Sequence, residues 1–374
     1  MGMMKTIAIW GSTGVIGTTA LKIAMDSGYR IVAIIGNKNH KLLIEQAKLA
    51  KPEYVGVADR QSYEIVKDTL SIGKIEVLTA TEFENLAKLD MTCSVMAIAG
   101  HASLQPTFAS IGHTQRLAIA SKEAIISGGK LLQTVAKEKG TEIIPIDSEH
   151  NSILQCLLGE NKTSIKELIL TASGGAFADF DENEFKNVTL QDALKHPNWQ
   201  MGIKNTIDSA TLFNKALELI EASYLFDINI TKIKAIIHPN SIIHAMVKFM
   251  DNSYKSLMSF PDMKLPISYA LNYPNRCECN LPELDFEQIY NLSFKKPKAW
   301  QRRNINLAYY AVQEKKVIAF NIANEVAVSK FITGKLQFAE IYKYVIEILA
   351  HSQAENVNSF EDIQAIIQSI KNSE

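Results

Sequence analysis

Short apolar segments alternate with helical segments over about the first 150 residues of the chain. The apolar segments are β-prone, and the segments between them repeat apolar residues every three or four positions. This alternation predicts an α/β fold built on a doubly wound parallel sheet. The predicted strands cover residues 5–10, 30–35, 54–58, 75–78, 94–99, 117–120 and 143–146.

The pattern is less regular after this region. Further strands are predicted at 168–170, 234–237 and 242–248, while the prolines of 260–266 predict a rigid loop. The polar segment 281–303 predicts an irregular linker. Helical periodicity returns in three or more segments of 305–370, so the chain is expected to end in helices.

One amphipathic helix stands out in the middle of the chain. At 100° per residue, the apolar residues of 212–220 fall on one side, and Asn214, Lys215 and Glu218 fall on the other. The polar side therefore offers an amide, a cation and a carboxylate within about one turn. The alternative is an ordinary surface helix with a solvated polar face.

The residues before this helix suggest a binding role. Asp208, Ser209 and Thr211 are suited to capping a helix start, where free N–H groups favour an anion such as phosphate. The helix is therefore a candidate holder of a phosphorylated substrate. The loop HPNWQMG at 196–202 is rich in helix breakers, and its Trp199 predicts a lid over the site.

Length, charge and cysteine usage narrow the possible classes. At 374 residues the chain fits two or three domains. The 39 Lys and Arg residues nearly balance 40 Asp and Glu residues, which excludes a broad basic surface for nucleic acid or membrane. No apolar run reaches the roughly 18 residues of a membrane span. The four cysteines favour free thiols in a reducing cytoplasm.

A glycine motif, GSTGVIG at 11–17, connects the first predicted strand to the first predicted helix. In a dinucleotide site, Gly11 would allow the tight turn, Gly14 would admit the pyrophosphate and Gly17 would let helix and strand pack closely. The spacing is G-x-x-G-x-x-G rather than G-x-G-x-x-G. A plain strand-to-helix turn therefore stays open as an alternative.

The end of the second predicted strand indicates which dinucleotide is bound. It runs into Gly36-Asn37-Lys38-Asn39-His40, which offers no carboxylate to a ribose hydroxyl and two groups that can be cationic. Such a segment suits the 2′-phosphate of NADP, so we predict NADP rather than NAD.

Two acidic residues, Asp147 and Glu149, follow the last strand of the predicted sheet. In extended backbone they point to the same side, at the edge where α/β sheets place ligands. Glu218 is the obvious third donor if the two segments meet. All-carboxylate ligation favours Mg²⁺ or Mn²⁺. The alternative is a surface turn in which Ser148 or Asn151 caps the next helix.

Two further segments carry weaker signals. The small-residue loop TASGGA at 171–176 either cradles phosphate oxygens with its N–H groups or merely turns the chain. Asn324-Glu325, in IANEVAV, is interpreted as a packing or hydrogen-bonding feature rather than a catalytic one.

Eight motifs follow one another along the chain. They are GSTGVIG at 11–17, SKE at 121–123, IDSEHNS at 146–152, ASGGAF at 172–177, HPNWQMG at 196–202, DSATLFNKALE at 208–218, IHPNSIIH at 237–244 and PDMKLPISYAL at 261–271. In content and order they resemble the 1-deoxy-D-xylulose 5-phosphate reductoisomerase family. The resemblance implies an NADPH- and divalent-metal-dependent homodimeric enzyme of non-mevalonate isoprenoid biosynthesis.

The resemblance also implies a division of the chain. A Rossmann-like NADPH-binding domain is expected at 1–146, and an α+β connective catalytic domain with the metal site and flexible loop at 147–275. A linker at 276–298 and a C-terminal helical domain at 299–374 complete the expected fold.

Position by position, the resemblance implies most of the site. The metal ligands are Asp147, Glu149 and Glu218. The substrate-binding residues are Lys122, Ser148, Glu149, Ser173, His196, Trp199, Ser209, Asn214, Lys215 and Glu218. The cofactor-binding residues are Thr13, Gly14, Val15, Ile16, Asn37, Lys38, Asn39, Ser121, Glu123 and Gly202. The resemblance implies that Glu149, Lys122, His196 and Glu218 are the catalytic residues. It also implies that Trp199 and Met201 belong to the lid.

Four positions depart from the family pattern. Ser121 stands where Asn is usual, Asn37 where Gly is common, Ala216 replaces a Gly, and His101 interrupts a small-residue stretch. These departures bear on nicotinamide placement and cofactor affinity rather than on the reaction.

The implied reaction is a retro-aldol cleavage and re-addition followed by hydride transfer from NADPH, which yields 2-C-methyl-D-erythritol 4-phosphate. Two rival hypotheses use the same fold. A homoserine-dehydrogenase-like NADP oxidoreductase would need no phosphate site, and a non-catalytic NADP-sensing protein could dispense with the three carboxylates and the lid.

Overall fold

A computed structural model describes residues 4–71, 74–199, 201–288 and 291–372. The strands are β1 (Thr6–Trp10), β2 (Arg30–Gly36), β3 (Tyr54–Val57), β4 (Glu76–Thr79), β5 (Met91–Met96), β6 (Thr114–Ile119), β7 (Glu142–Pro145), β8 (Ile165–Ala172), β9 (Ile233–Ile237), β10 (Ile243–Phe249) and β11 (Tyr254–Met258).

The α-helices are α1 (Val15–Asp26), α2 (His40–Ala50), α3 (Arg60–Leu70), α4 (Phe83–Ala87), α5 (Leu104–Ser110), α6 (Lys122–Lys139), α7 (Ser148–Leu157), α8 (Leu190–Ala193), α9 (Ile203–Thr211), α10 (Phe213–Leu225), α11 (Lys264–Asn272), α12 (Ala299–Gln313), α13 (Val317–Ile332), α14 (Ile341–His351) and α15 (Phe360–Asn372).

The first seven strands form one parallel sheet in the order β4-β3-β2-β1-β5-β6-β7. The strand order reverses at β1, where doubly wound sheets bind nucleotides. Ile7, Ile9 and Trp10 of β1 are fully buried, as expected for a strand covered on both faces. The predicted α/β fold is confirmed, with strand ends shifted by a few residues.

A second sheet has the order β11-β10-β8-β9. Strand β10 pairs antiparallel with both β8 and β11, and β8 pairs parallel with β9. Strand β11 was not predicted from the sequence. Its residues Tyr254, Lys255 and Ser256 are exposed, so the strand shows no apolar alternation.

Two predicted irregular segments are partly helical. The expected rigid loop 260–266 ends at Lys264, where α11 begins. Pro266 is tolerated there because the first turn of a helix leaves its N–H groups unbonded. The expected linker 281–303 ends at Ala299, where α12 begins. The C-terminal residues form helices, as predicted.

The amphipathic helix predicted around 212–220 is confirmed as α10, but its start differs from the prediction. Leu212 adopts left-handed backbone (φ 61°) between α9 and α10, so Asp208, Ser209 and Thr211 lie inside α9 and not at a helix start. The surface-helix alternative is wrong, because Lys215 is only 3% exposed and Glu218 only 1%.

The chain divides into two compact units. The first contains Met1–Ala124, Leu132–Asp147 and Met263–Leu281, and the second contains Ile125–Leu131, Ser148–Asp262 and Pro282–Glu374. Among the described residues, no helix combines the length and apolar character that crossing a membrane requires.

Candidate active site

Three carboxylates lie close to one another. One carboxylate oxygen from each of Asp147, Glu149 and Glu218 lies within 4.8 Å of the others. The backbone differs from the prediction, since β7 ends at Pro145 and Glu149 lies in the first turn of α7. The two acidic residues are therefore brought together by a strand-to-helix turn, and not by the alternation of a strand.

Each of the three carboxylates contacts a lysine ammonium. Lys122, at the start of α6, places Nζ 2.5 Å from Oδ2 of Asp147. Lys215 places Nζ 2.6 Å from Oε1 of Glu149 and also donates to Glu218. Both lysine side chains are less than a tenth exposed. Buried ammonium groups of this kind require close carboxylates, because an unpaired buried charge is strongly destabilising.

Neighbouring polar side chains complete the hydrogen bonding of these carboxylates. The amide of Asn214 donates to Oε1 of Glu218, and the hydroxyl of Ser148 donates to Oε2 of Glu149 at 2.5 Å. Asn214, Lys215 and Glu218 lie on α10, where residues three and four apart share a face. On the predicted polar side of the helix, Lys215 and Glu218 are therefore buried and paired, and Asn214 is partly buried.

His196 is held in one tautomer by the loop that follows it. Its Nδ1 accepts the backbone N–H of Asn198 at 3.2 Å and that of Trp199 at 2.9 Å. The ring proton is therefore on Nε2, which lies 3.1 Å from Oγ of Ser173. Burial lowers the pKa of His196 to about 4, although the charge of Glu149 opposes this shift. The ring is neutral near pH 7.

Two hydrogen bonds orient the hydroxyl group of Ser173. Its oxygen accepts the backbone N–H of Gly175 at 3.1 Å in addition to the Nε2–H of His196. Because this oxygen already accepts two hydrogen bonds, the hydroxyl proton remains for donation to a third group. An anion is the ligand that such a donor suits best.

The predicted lid residue Trp199 is half-buried, and its ring centroid lies 5.9 Å from that of His244. The amide of Asn198 donates to the carbonyl of Pro239 and to Oγ of Ser241, both at 2.7 Å. The sequence analysis gave no role to the motif IHPNSIIH, which contains Pro239 and Ser241. These contacts show that it supports the loop, whereas Gln200 lies outside the described residues.

The predicted cofactor residues of the first unit lie at the carboxyl ends of its strands. The turn of the glycine motif contains Gly11 at φ 81°, where a Cβ would lie 2.5 Å from the carbonyl oxygen of Ala97. Gly17 packs against this turn rather than against the strand, since its Cβ would lie 2.1 Å from the carbonyl oxygen of Gly11. Both contacts require glycine.

The remaining cofactor candidates begin helices. Thr13 and Gly14 immediately precede α1, and Val15 and Ile16 are its first two residues. Asn37, Lys38 and Asn39 lie between β2 and α2. Ser121 precedes α6 and donates to the carbonyl of Ile98 at 2.5 Å, while Glu123 is buried in the first turn of that helix. Gly202 precedes α9 in the second unit.

Comparisons with known proteins cover nearly the whole chain. Residues 7–129 match the family model of 1-deoxy-D-xylulose 5-phosphate reductoisomerase, and residues 143–226 and 258–373 match models of C-terminal domains of the same enzyme. The reductoisomerase of Caldanaerobacter subterraneus is 41% identical over 97% of this chain and 96% of its own length. The chain belongs to the 1-deoxy-D-xylulose 5-phosphate reductoisomerase family.

Other relatives agree with this assignment. The reductoisomerase of Clostridium botulinum is 42% identical over 90% of both chains. The Zymomonas mobilis enzyme, solved in complex with NADPH, is 34% identical with a TM-score of 0.91, covering 99% of this chain and 98% of that one. A reductoisomerase solved with NADPH, fosmidomycin and magnesium gives 34% identity and a TM-score of 0.93, covering 99% and 97%.

Family membership confirms the predicted function. The protein is an NADPH- and metal-dependent oxidoreductase that isomerises and reduces 1-deoxy-D-xylulose 5-phosphate. Neither rival hypothesis, the homoserine-dehydrogenase-like enzyme or the non-catalytic sensor, is favoured.

Proposed function

We propose that Asp147, Glu149 and Glu218 hold the divalent metal ion of this reaction, and that the side chains around them bind and orient the phosphorylated sugar. The convergence of these three carboxylates from segments far apart in sequence carries the proposal. Oxygen donors without Cys or His suit Mg²⁺, and Mn²⁺ accepts the same donor set. When bound, the ion would supply Lewis-acid polarisation of substrate oxygens, and NADPH would supply the hydride.

The chain's own charges fit a cation at this position. Three carboxylates face two ammonium groups, those of Lys122 and Lys215, so one negative charge is left over. Glu149 and Lys122 are the groups that we assign to the reacting oxygens, where the ammonium holds a proton and the carboxylate can accept one. Ser148, which donates to Glu149, orients that carboxylate.

The phosphate is assigned to a second group of donors. Ser173 carries the hydroxyl proton that His196 and Gly175 leave available, and His196 is neutral with its proton on Nε2. Ser209, Asn214 and Lys215 complete this group. Binding energy from a phosphate remote from the reacting carbons orients the substrate for rearrangement by retro-aldol cleavage and re-addition.

The loop containing Trp199 and Met201 is proposed as the lid that excludes water from the cleaved intermediates. Its hydrogen bonds to His196 support this role, because they connect the loop to a phosphate-binding residue. Closure of the loop and binding of phosphate then favour one another.

The NADPH site is proposed at the glycine turn and the start of α2. Thr13, Gly14, Val15 and Ile16 would face the pyrophosphate, since helix N-termini bind phosphate groups. Asn37, Lys38 and Asn39 would face the 2′-phosphate, and Ser121, Glu123 and Gly202 would contact the nicotinamide half. We retain the four-part division at residues 146, 275 and 298 as part of this proposal.

A homodimer is the assembly that we propose. Strand β11 is an edge strand of its sheet, and Tyr254 on it is 54% exposed. Exposed strand edges with large side chains are suited to association with a second chain. We also propose a cytoplasmic location, which is supported by four cysteines that are not joined in disulfides.

The substitution Glu218→Gln tests the metal assignment. Loss of one carboxylate should lower kcat at saturating Mg²⁺ by at least about 100-fold, while NADPH quenching of protein fluorescence should be unchanged. Glu221→Gln is the matched control, because Glu221 lies one turn further along α10 and is equally buried. Wild-type turnover in the Glu218 variant would refute the assignment.

A further inference from the structure

The junction of α9 and α10 carries the proposed phosphate contacts on both of its sides. Ser209 lies in the last turn of α9, and Asn214 and Lys215 lie in the first turn of α10. Between them Leu212 is buried with φ 61°, a conformation that a branched side chain rarely adopts. Contacts from other elements must therefore hold this junction in place.

Asparagines of two C-terminal helices make such contacts. Asn304 of α12 donates to the carbonyl oxygen of Thr211 at 2.9 Å. Asn324 of α13 donates to Oδ1 of Asp208 at 2.9 Å, and both of these side chains are completely buried. The interpretation of Asn324 as a hydrogen-bonding residue is confirmed, and its partner immediately precedes Ser209 in sequence.

The negative charge of Asp208 would weaken anion binding at this site unless it is compensated. A buried carboxylate one residue from a phosphate contact repels phosphate through a medium of low dielectric constant. Lys204 forms an ion pair with its Oδ2 at 2.9 Å, while Asn324 bonds the other oxygen. Lys204 thereby compensates the charge of the carboxylate, and the hydrogen bond from Asn324 fixes the direction of the last turn of α9.

The small-residue loop packs on the same turn. A Cβ on Gly175, whose φ is 70°, would lie 2.4 Å from the carbonyl oxygen of Ser209. The loop that carries Ser173 is thereby set against the backbone of Ser209, and a rotation of the turn would separate these two serines. The relative position of the donors depends on the orientation of α9.

We propose that Asn324 is a positioning residue for the substrate phosphate, acting through Asp208 on Ser209. This inference rests on the proposed function, in which Ser209 binds the phosphate. The C-terminal helix α13 thus contributes to substrate affinity although its asparagine acts only through another residue.

The test compares full-length variants in steady-state kinetics. Asn324→Leu keeps the number and branching of the side-chain heavy atoms and removes the donor, so KM for 1-deoxy-D-xylulose 5-phosphate should rise about tenfold. We expect kcat to change less than about threefold and KM for NADPH to stay unchanged. Asn321→Leu is the matched control: Asn321 is equally buried on α13, and the described residues offer its amide no hydrogen-bond partner. Its KM should equal that of wild type.

Exchanging the two side chains of the Asn324–Asp208 pair tests whether their hydrogen bond, rather than a general loss of packing, changes KM. Asn324→Asp places two carboxylates together and should raise KM further, whereas Asn324→Asp combined with Asp208→Asn restores one amide and one carboxylate. We expect this double variant to recover KM to within about threefold of wild type. Thermal unfolding and NADPH titration verify that each variant is folded.

Ser209→Ala, measured in parallel, distinguishes the two possible failures. If Ser209→Ala raises KM but Asn324→Leu does not, or if the folded double variant recovers nothing, the positioning role is wrong. If Ser209→Ala leaves KM unchanged, the phosphate assignment itself fails, and the inference fails with it.

Discussion

The ammonium of Lys215 lies 2.6 Å from Oε1 of Glu149 and also contacts Glu218, three residues further along α10. One buried cation therefore contacts two of the three residues proposed to bind the metal ion. It lies on the same helix as Asn214, which donates to Glu218. In the proposed function, this single side chain couples metal binding to phosphate binding.

Replacement of Lys215 should separate these two functions. In Lys215→Met the carboxylates lose a competing cation, so the Mg²⁺ concentration for half-maximal activity should fall or stay the same. KM for the phosphorylated substrate should rise at least about tenfold, because a charge-assisted contact is lost. Lys234→Met, at an exposed ion pair, is the control. A greater requirement for Mg²⁺ in the Lys215 variant would contradict this coupling.

Trp199→Ala should impair turnover more than folding. Trp199 is only half-buried, so its loss should change the thermal unfolding midpoint by no more than about 2 °C. A lid that cannot cover the site exposes the cleaved intermediates to water, and kcat should fall at least about tenfold. Steady-state kinetics and thermal unfolding of the same preparation measure both effects. Wild-type kinetics in this variant would argue against the lid.

His196 should remain neutral down to about pH 5. Its pKa is lowered to about 4 in the folded protein by burial, whereas the unfolded chain titrates near 6.5. Between these values the unfolded state binds the extra proton. The stability that the neutral ring contributes is therefore present above pH 6.5 and is lost as the pH falls through 4. Over that range the free energy of unfolding decreases by no more than about 1.4 kcal/mol per pH unit.

The His196→Asn variant makes this contribution measurable. The difference in free energy of unfolding between wild type and variant, obtained from urea titrations, should shrink from pH 7 to pH 5. In NMR spectra the ring protons of His196 should not shift between pH 8 and pH 5.5. A titration centred near pH 6.5 would show that the ring is exposed to solvent.

Glu355 should affect stability in the opposite direction. Its carboxylate accepts the backbone N–H groups of Ile318 at 2.9 Å and Ala319 at 2.7 Å, at the start of α13. Burial raises its pKa to about 7, although these N–H groups and Lys316 oppose the shift. The folded state therefore holds the proton between pH 4.5 and 7, and stability falls as the pH rises across that range.

Glu355→Gln should remove this dependence. Urea unfolding at pH 5 and at pH 7.5 should show a smaller loss of stability in the variant than in wild type. Glu361→Gln, on the exposed side of α15, is expected to behave as wild type. If wild type and Glu355→Gln lose equal stability over this range, the carboxyl group does not titrate there.

Much of the fold could be predicted because it depends on local patterns. Seven apolar segments separated by amphipathic helices indicate a parallel sheet, and each strand was located to within a few residues. Strand β11 was missed because its exposed residues lack that pattern. The start of α11 was missed because prolines suggested a loop, although Pro266 occupies a first turn where its missing N–H costs nothing.

The site was less predictable than the fold. Asp147 and Glu149 were correctly paired, but by a strand geometry that the structure replaces with the first turn of α7. Burial of Lys215 and Glu218 could not be foreseen from α10 alone, because a polar face looks the same whether water or other charges cover it. A hydrogen-bonding role was foreseen for Asn324, but nothing in the sequence indicated that Asp208 is its partner.

The amino-acid sequence therefore determined most of the elements, the glycine turn and the family, since these depend on spacing along the chain. The tertiary structure alone decided which polar groups from distant segments are in contact. Lys215 and Glu149 are 66 positions apart, and Asn324 and Asp208 are 116 apart. Contacts over such separations depend on how helices and sheets pack, which no local periodicity encodes.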